Sequence, residues 1–444
     1  MPGVTYHAEY AWLGPDPAGG DGIAGQVRID TDAGRITAVV PGTPPAGTRL
    51  PGLTLPGLAN AHSHAFHRAL RGRTHAGRGT FWTWREAMYD LAARLDPDTY
   101  HDLARAVYGE MALAGITCVG EFHYLHHGPG GTRYAEANAM GAALFAAAGA
   151  AGIRITLLDT LYLTSTVDGA APVGPQLRFS DGNVAGFADR HAALAAPAHG
   201  RTGLAAHSVR AVPVPDLAAL ADLAGPDTPL HAHLSEQRAE NRACAARYGR
   251  SPTQVLYDTG ALGPGTTVVH ATHLSDVDRS LLGDTGTGVC LCPTTERDLA
   301  DGIGPARDLA DAGSPLCLGS DSHAVIDLFE EARATELDER LRTEHRGHFT
   351  AADLMTAAST AGHRALGWPD AGTLAPGARA DLVTIALDSV RTAGARPLAA
   401  AVFAASAADV RQVVVDGRLV VRDGRHTGFD VAAELARTIA AVTG

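Results

Sequence analysis

The sequence predicts a (β/α)8 barrel flanked by a small β-sandwich built from both termini. Three observations predict it: eight short β-like runs between Leu53 and His323, an alanine-rich stretch of helical character after each, and polar residues gathered at the ends of those runs. Eight β/α repeats are the count of a closed barrel, whose working groups collect at the C-terminal ends of its strands. A doubly wound open sheet is the rival arrangement, but it gives no reason for a histidine or carboxylate at the end of nearly every strand.

The elements follow in chain order. The first ~50 residues read as short strands broken by Gly, Pro and Asp turns. Then come the eight runs, LTLPGLANAHSH, ITCVGEFHY, IRITLLDTLYL, GLAAHSVRA, PLHAHLSE, TTVVHATH, GVCLCPTTE and PLCLGSDSH. The stretches from Gly128 to Gly131 and from Val167 to Gln176 read as long loops. From Asp381 to Arg425 short strands return, with VVVDGRLVVRDGR as a hairpin around Asp-Gly turns. The expected division is residues 1–55 and 369–444 for the sandwich and 56–368 for the barrel.

At 444 residues the chain exceeds the size at which one core stops growing, so a large and a small domain are expected. No apolar run approaches the ~20 residues of a membrane span. The N-terminus has neither the basic start nor the apolar stretch of a secretory signal, which predicts a cytoplasmic protein. A net charge of -12 disfavours nucleic acid and anionic membranes as partners, while leaving room for a small anionic substrate in a locally basic pocket. The cysteines Cys118, Cys244, Cys290, Cys292 and Cys317 are odd in number and form no CxxC pair, so they are expected reduced and packed inside. There is no lysine, which excludes Schiff-base chemistry, a phosphate-binding Walker lysine and a carboxylated lysine bridging two metals.

His62 and His64, in NAHSHAF, end the first run, and residues i and i+2 of a strand point the same way, so both imidazoles can reach one ion. Among 21 histidines such a pair can arise by chance. The pattern recurs, however, in HAHLSEQ, VVHATH and GSDSH at later strand ends. His233 becomes a third nitrogen ligand and Asp321 an oxygen ligand, leaving a position for water on one divalent ion, most simply Zn²⁺. Such an ion lowers the pKa of bound water toward ~7. His231, His273 and His323 are expected to support or pack rather than ligate.

This constellation resembles the amidohydrolase superfamily, in its single-metal deaminase branch. The resemblance implies metal ligation by His62, His64, His233 and Asp321, acid/base catalysis by Glu236, and supporting catalytic roles for His270 and Asp321. Over residues 50–370, NAHSHAFHRAL, FWTWREAMYDLA, GITCVGEFHYLHH, HSVRAV and CPTTERDLADGI are similar to the formimidoylglutamate deiminases. That resemblance implies substrate contacts from Arg85, Tyr124, His207 and Arg210, two of them arginines suited to bidentate carboxylate binding. At one further contact position the family usually has glutamine, and this chain has His67. The implied reaction is hydrolysis of N-formimino-L-glutamate to N-formyl-L-glutamate and ammonia, in histidine degradation, by a homodimer. The competing readings are a purine or pterin deaminase, an imidazolonepropionase, and a binding protein that keeps the scaffold without catalysis.

Overall fold

The computed structural model describes residues 3–18, 20–75 and 79–444. The chain begins with β1 (Val4–Trp12), β2 (Ile23–Asp32), β3 (Arg35–Val40) and β4 (Thr48–Pro56), β4 running parallel to β1. The barrel follows as β5 (Leu58–Ser63), β6 (Ile116–His123), β7 (Arg154–Leu161), β8 (Gly200–Ala206), β9 (Leu230–Leu234), β10 (Thr266–His270), β11 (Gly288–Leu291) and β12 (Leu316–Leu318), each paired in parallel with the next. The ends of the sequence meet again in β13 (Leu382–Ile385), β14 (Val410–Val415), β15 (Arg418–Arg422) and β16 (Arg425–His426), which join β1–β4 in one eight-stranded sheet.

The barrel is an eight-stranded parallel sheet closed at the seam between its first and last strands. There the Asp321 N–H donates to the His62 carbonyl at 3.0 Å and the His64 N–H to the Asp321 carbonyl at 3.3 Å. Every residue of β6 and β7 is buried, as parallel strands covered on both faces require. The apolar run beginning at Leu53, read as one strand, is two: β4 ends at Pro56 in the terminal sheet and β5 starts at Leu58 in the barrel. Gly57 makes the crossing, at a point where a Cβ would collide with Thr117 and Asp381.

The terminal sheet curls around Tyr6, Val27, Ile29, Leu50, Leu382 and Val414. Its β3 edge is met by the 377–380 segment, with the Ile36 N–H donating to the Ala378 carbonyl at 2.9 Å. The expected hairpin is β14–β15, and its turn residues Asp416 and Gly417 have φ of 47° and 75°, the left-handed pair that an Asp-Gly turn supplies. The C-terminal segment also contains helices Pro397–Phe403 and Val431–Thr443, which the strand reading omits. The second lies along the barrel helix Pro97–Leu113, tied by Arg437–Asp102 at 2.9 Å and Arg105–Glu434 at 3.2 Å.

Arg154, at the start of β7, is fully buried and paired with Asp381, just before β13, and with Asp416 at 3.1 Å, which fastens barrel to terminal sheet. Burial works against the Asp381 charge, but Arg154 outweighs it and holds the carboxyl below its ordinary value of 3.8. A depressed folded-state pKa adds stability that is full above the unfolded pKa and disappears as pH falls through the folded one. Asp381→Asn is therefore expected to be less stable at pH 7 and to lose less of its remaining stability on acidification below about pH 4, as urea unfolding at pH 7 and pH 3 would measure.

Candidate active site

The side chains named from the sequence converge at the C-terminal mouth of the barrel. His62 lies on β5, with His64 just beyond it; His233 lies on β9 and Glu236 two residues past that strand. His270 is the last residue of β10, and Asp321 follows β12. Ser235, His270, Ala271, Asp321 and His323 all have positive φ, between 39° and 71°, which is costly for residues with side chains. Of these, His270 and Asp321 line the cavity at the mouth of the barrel.

Three imidazole nitrogens and one carboxylate, from His62, His64, His233 and Asp321, offer atoms that all lie within 4.8 Å of one another. Their hydrogen bonds favour metal binding. Nδ1 of His64 is 3.0 Å from the Phe122 carbonyl and Nδ1 of His233 is 2.8 Å from the His207 carbonyl. Carbonyls only accept, so both Nδ1 atoms carry the proton and both Nε2 lone pairs point to the shared centre. Nε2 of His62 is 3.1 Å from that of His233, and the His62 and His64 Nε2 atoms are each 3.4 Å from Asp321 Oδ1. Burial pushes the three histidines toward their neutral, metal-binding form. The donor set of three neutral imidazoles and one carboxylate therefore fits one divalent cation. Purified protein is expected to carry about one tightly held divalent ion per chain, measurable by elemental analysis; a requirement for two equivalents would overturn the single-metal reading.

Glu236 and His270 face each other beside this centre, with Oε1 and Nε2 3.9 Å apart, and His270 Nε2 is 3.7 Å from Asp321 Oδ2. Burial raises the Glu236 pKa above its ordinary value, while His270 and Arg210 oppose the rise. For His270 burial works against charge, but Glu236, the hydrogen bond to Glu296 and Asp321 together push it up to about 10, an effect that a bound cation would counter. A protonated or Nε2–H imidazole there is a donor toward anything held between it and the ligands.

His67, Arg85, Tyr124, His207 and Arg210 all line the cavity that opens onto this centre, which contains about 670 Å³ of unfilled space, part of it continuous with solvent. His67 Nε2 is 3.0 Å from the Tyr124 hydroxyl, and burial pushes its pKa down to about 3, so it is a neutral ring. A neutral imidazole offers one donor and one acceptor without charge, where a glutamine amide would offer two donors and a carbonyl. Arg85 stacks on Trp82 and Tyr89, 4.5 and 5.5 Å from their centroids, and no carboxylate among the described residues is within ion-pair distance of it. Arg210 is different: its Nε lies 3.3 Å from the buried carboxylate of Glu240, while its own side chain lines the cavity and is 17% exposed.

His231 bonds the Ala365 carbonyl at 2.9 Å, and His323 bridges Ser63 and Ser320 at 3.1 and 3.0 Å; neither belongs to the ligand group. His273 stands outside the group as well. All five cysteines are buried and unpaired. The sequence reading missed Trp84, Tyr89, Tyr162, Ser165 and Ser208 in the cavity wall, and Glu240 behind Arg210. Tyr162 had a signal, since it directly follows β7 as Tyr124 directly follows β6.

The family model described as the amidohydrolase family matches residues 53–420. The chain is 39% identical over 429 residues to formimidoylglutamate deiminase of Pseudomonas aeruginosa, covering 93% of this chain and 92% of that one. It is 31% identical over 402 residues to 8-oxoguanine deaminase of the same organism, covering 88% and 87%. An amidohydrolase structure from Brucella melitensis matches at TM-score 0.89 and 32% identity, over 99% of this chain and 100% of the other. An adenosine deaminase from Xanthomonas campestris with bound zinc matches at TM-score 0.83 and 23% identity, over 98% and 97%, a likeness of fold.

Proposed function

The chain belongs to the amidohydrolase family and is a hydrolase acting on carbon–nitrogen bonds, and from that premise we propose that it converts N-formimino-L-glutamate and water to N-formyl-L-glutamate and ammonia, in histidine degradation. The observation that carries this reading is the placing of two arginines, Arg85 and Arg210, in one cavity with Glu236, His270 and the four-ligand group. A substrate with two carboxylates and a reactive amidine carbon needs both features at once.

A divalent cation held by His62, His64, His233 and Asp321, zinc in our reading, would supply the Lewis acidity that makes water a competent nucleophile near neutral pH. Glu236 takes a proton from the attacking water and returns it to the nitrogen that leaves as ammonia, a role suited to its raised pKa. His270 donates to the oxygen as it adds to the formimino carbon, and Asp321 takes the hydroxyl proton as the tetrahedral centre collapses and passes it on to the departing nitrogen, so that both protons of water leave with ammonia. His67, Tyr124, His207 and the two arginines hold the glutamate portion so that the carbon stays within reach, an orientation effect worth several kcal/mol.

A relative named for 8-oxoguanine makes purines the comparison to exclude. The test is ammonia release by the metal-loaded protein from N-formimino-L-glutamate, 8-oxoguanine, adenosine and imidazolonepropionate side by side. Turnover of formiminoglutamate at a kcat/KM well above the others is expected; preference for a purine would overturn the proposed substrate but not the family. We place this enzyme in the cytoplasm as a homodimer; among the described residues no helix is long and apolar enough to cross a membrane.

A further inference from the structure

Beyond His207 the cavity ends in a group of hydroxyls whose donor sense is fixed by one amide. The ring of His207 lies 5.2 Å from that of the ligand His233, and Tyr162 is the next ring outward, 4.9 Å from His207. Tyr162 is 5% exposed. Its hydroxyl and that of Tyr89 both meet Gln176: the amide Nε2 is 2.8 Å from Tyr162 Oη and 3.1 Å from Tyr89 Oη.

The orientation of that amide follows from its other end. Gln176 Oε1 lies 3.2 Å from the backbone nitrogen of Val173, and a backbone N–H can only donate. Oε1 is therefore the oxygen, and Nε2 spends its two protons on the two phenols. Each phenol accepts with its oxygen and keeps its own O–H proton to give away. Among the described residues the only protein acceptor near either proton is the neighbouring phenol, and both side chains line the cavity. Arg85, stacked on Tyr89 at 5.5 Å, and Arg210 line the same cavity as the two phenols. Two O–H groups in one cavity with two guanidiniums, only one of them matched by a neighbouring carboxylate, make a place for an anion.

Resting on the proposed substrate, we infer that Tyr89 and Tyr162 donate to the carboxylate of the substrate most distant from the reacting carbon, and that Gln176 is the positioning residue that compels them to be donors. The tyrosines thereby set selectivity for an ω-carboxylate over an ω-amide or a methyl terminus. Gln176→Glu would reverse the device: a carboxylate at 176 keeps the Val173 bond with one oxygen and draws the phenolic protons onto the other, while adding a negative charge near the site.

Binding of the product N-formyl-L-glutamate, its ω-amide analogue N-formyl-L-glutamine and N-formyl-2-aminobutyrate to the metal-loaded protein by calorimetry tests this without turnover. The parent is expected to bind the ω-carboxylate compound at least tenfold more tightly than either analogue. Tyr89→Phe and Tyr162→Phe, which keep their rings, should each reduce that preference roughly tenfold, the scale of one hydrogen bond to a charged group. Gln176→Glu should reduce it more than either and favour the ω-amide over the ω-carboxylate. Absence of ω-carboxylate preference in the parent, or a preference unchanged in all three variants, overturns the inference even if formiminoglutamate is the substrate. Retained preference together with no ammonia release from formiminoglutamate would instead overturn the proposed reaction and leave the anion subsite standing.

Discussion

Glu236→Gln is expected to keep its metal and lose between about 10² and 10⁴ in kcat, the range by which a positioned acid/base group accelerates a reaction. That loss corresponds to roughly 3–5 kcal/mol of transition-state stabilisation. The argument is one of protons rather than shape. Glutamine fills nearly the volume of glutamate, Glu236 is outside the group of four converging ligand atoms, and it lies 3.9 Å from His270 without ligating anything in the protein. An amide can neither take the proton from water nor deliver it to the leaving nitrogen. Because burial raises the Glu236 pKa, kcat/KM of the parent should fall on acidification through a value above the ordinary 4.5, as the base becomes protonated. The residual activity of the variant should lack that limb. Metal content by elemental analysis and the pH profile are the measurements; a variant that holds metal and stays within a few-fold of the parent would remove Glu236 from the mechanism.

The convergence of His62, His64, His233 and Asp321 was legible because the spacing of the first two is a property of a strand. HxH puts two rings on one side, and β5 presents His62 with His64 immediately beyond it. The barrel was legible because each strand end carried a polar residue. What the sequence could not convey was partnership across distance. Gln176 sits 87 residues from Tyr89 and 14 from Tyr162, and only the folded chain brings its amide to both hydroxyls. Glu240 appears in sequence as one acid on a polar helix, and nothing local indicates that it faces Arg210. Three histidines crowd the EFHYLHH string, of which His126 and His127 lie against Asp159 and Asp181, at 3.7 and 3.0 Å, in a buried network with Arg190. The split of the first apolar run was signalled by Pro56–Gly57, but strand propensity is the same on both sides of the break. Helix Val431–Thr443 has an Asp430 N-cap that accepts from Ala433, a start signal hidden by the attention its strand-rich neighbours attract.

Replacing either Arg85 or Arg210 with methionine is expected to cost on the order of 2 to 5 kcal/mol in transition-state binding of formiminoglutamate, read as kcat/KM, because an anionic group loses its charge-assisted partner. The two variants should nevertheless differ in a way that only the structure reveals. Arg85 stands on exposed and half-buried aromatic rings with no described carboxylate beside it, so its removal gives up stacking and little else. Arg210 is only partly exposed and lies 3.3 Å from the buried Glu240, so its removal leaves that carboxylate without a cation. An uncompensated buried charge is costly, so Arg210→Met should lower Tm where Arg85→Met leaves it nearly unchanged. Adding Glu240→Gln to Arg210→Met should recover most of the lost stability but not the lost kcat/KM, which separates the fold from the contact. On a truncated formimino compound lacking the carboxylate that each arginine holds, the catalytic penalty should shrink, since that substrate never made the contact. Metal content should stay at the parental level throughout, neither arginine being a ligand. Parental kinetics in both variants, or an equal penalty on the truncated compound, would mean that these arginines do not bind the substrate's carboxylates, and the preference for formiminoglutamate over a purine would lose its physical basis.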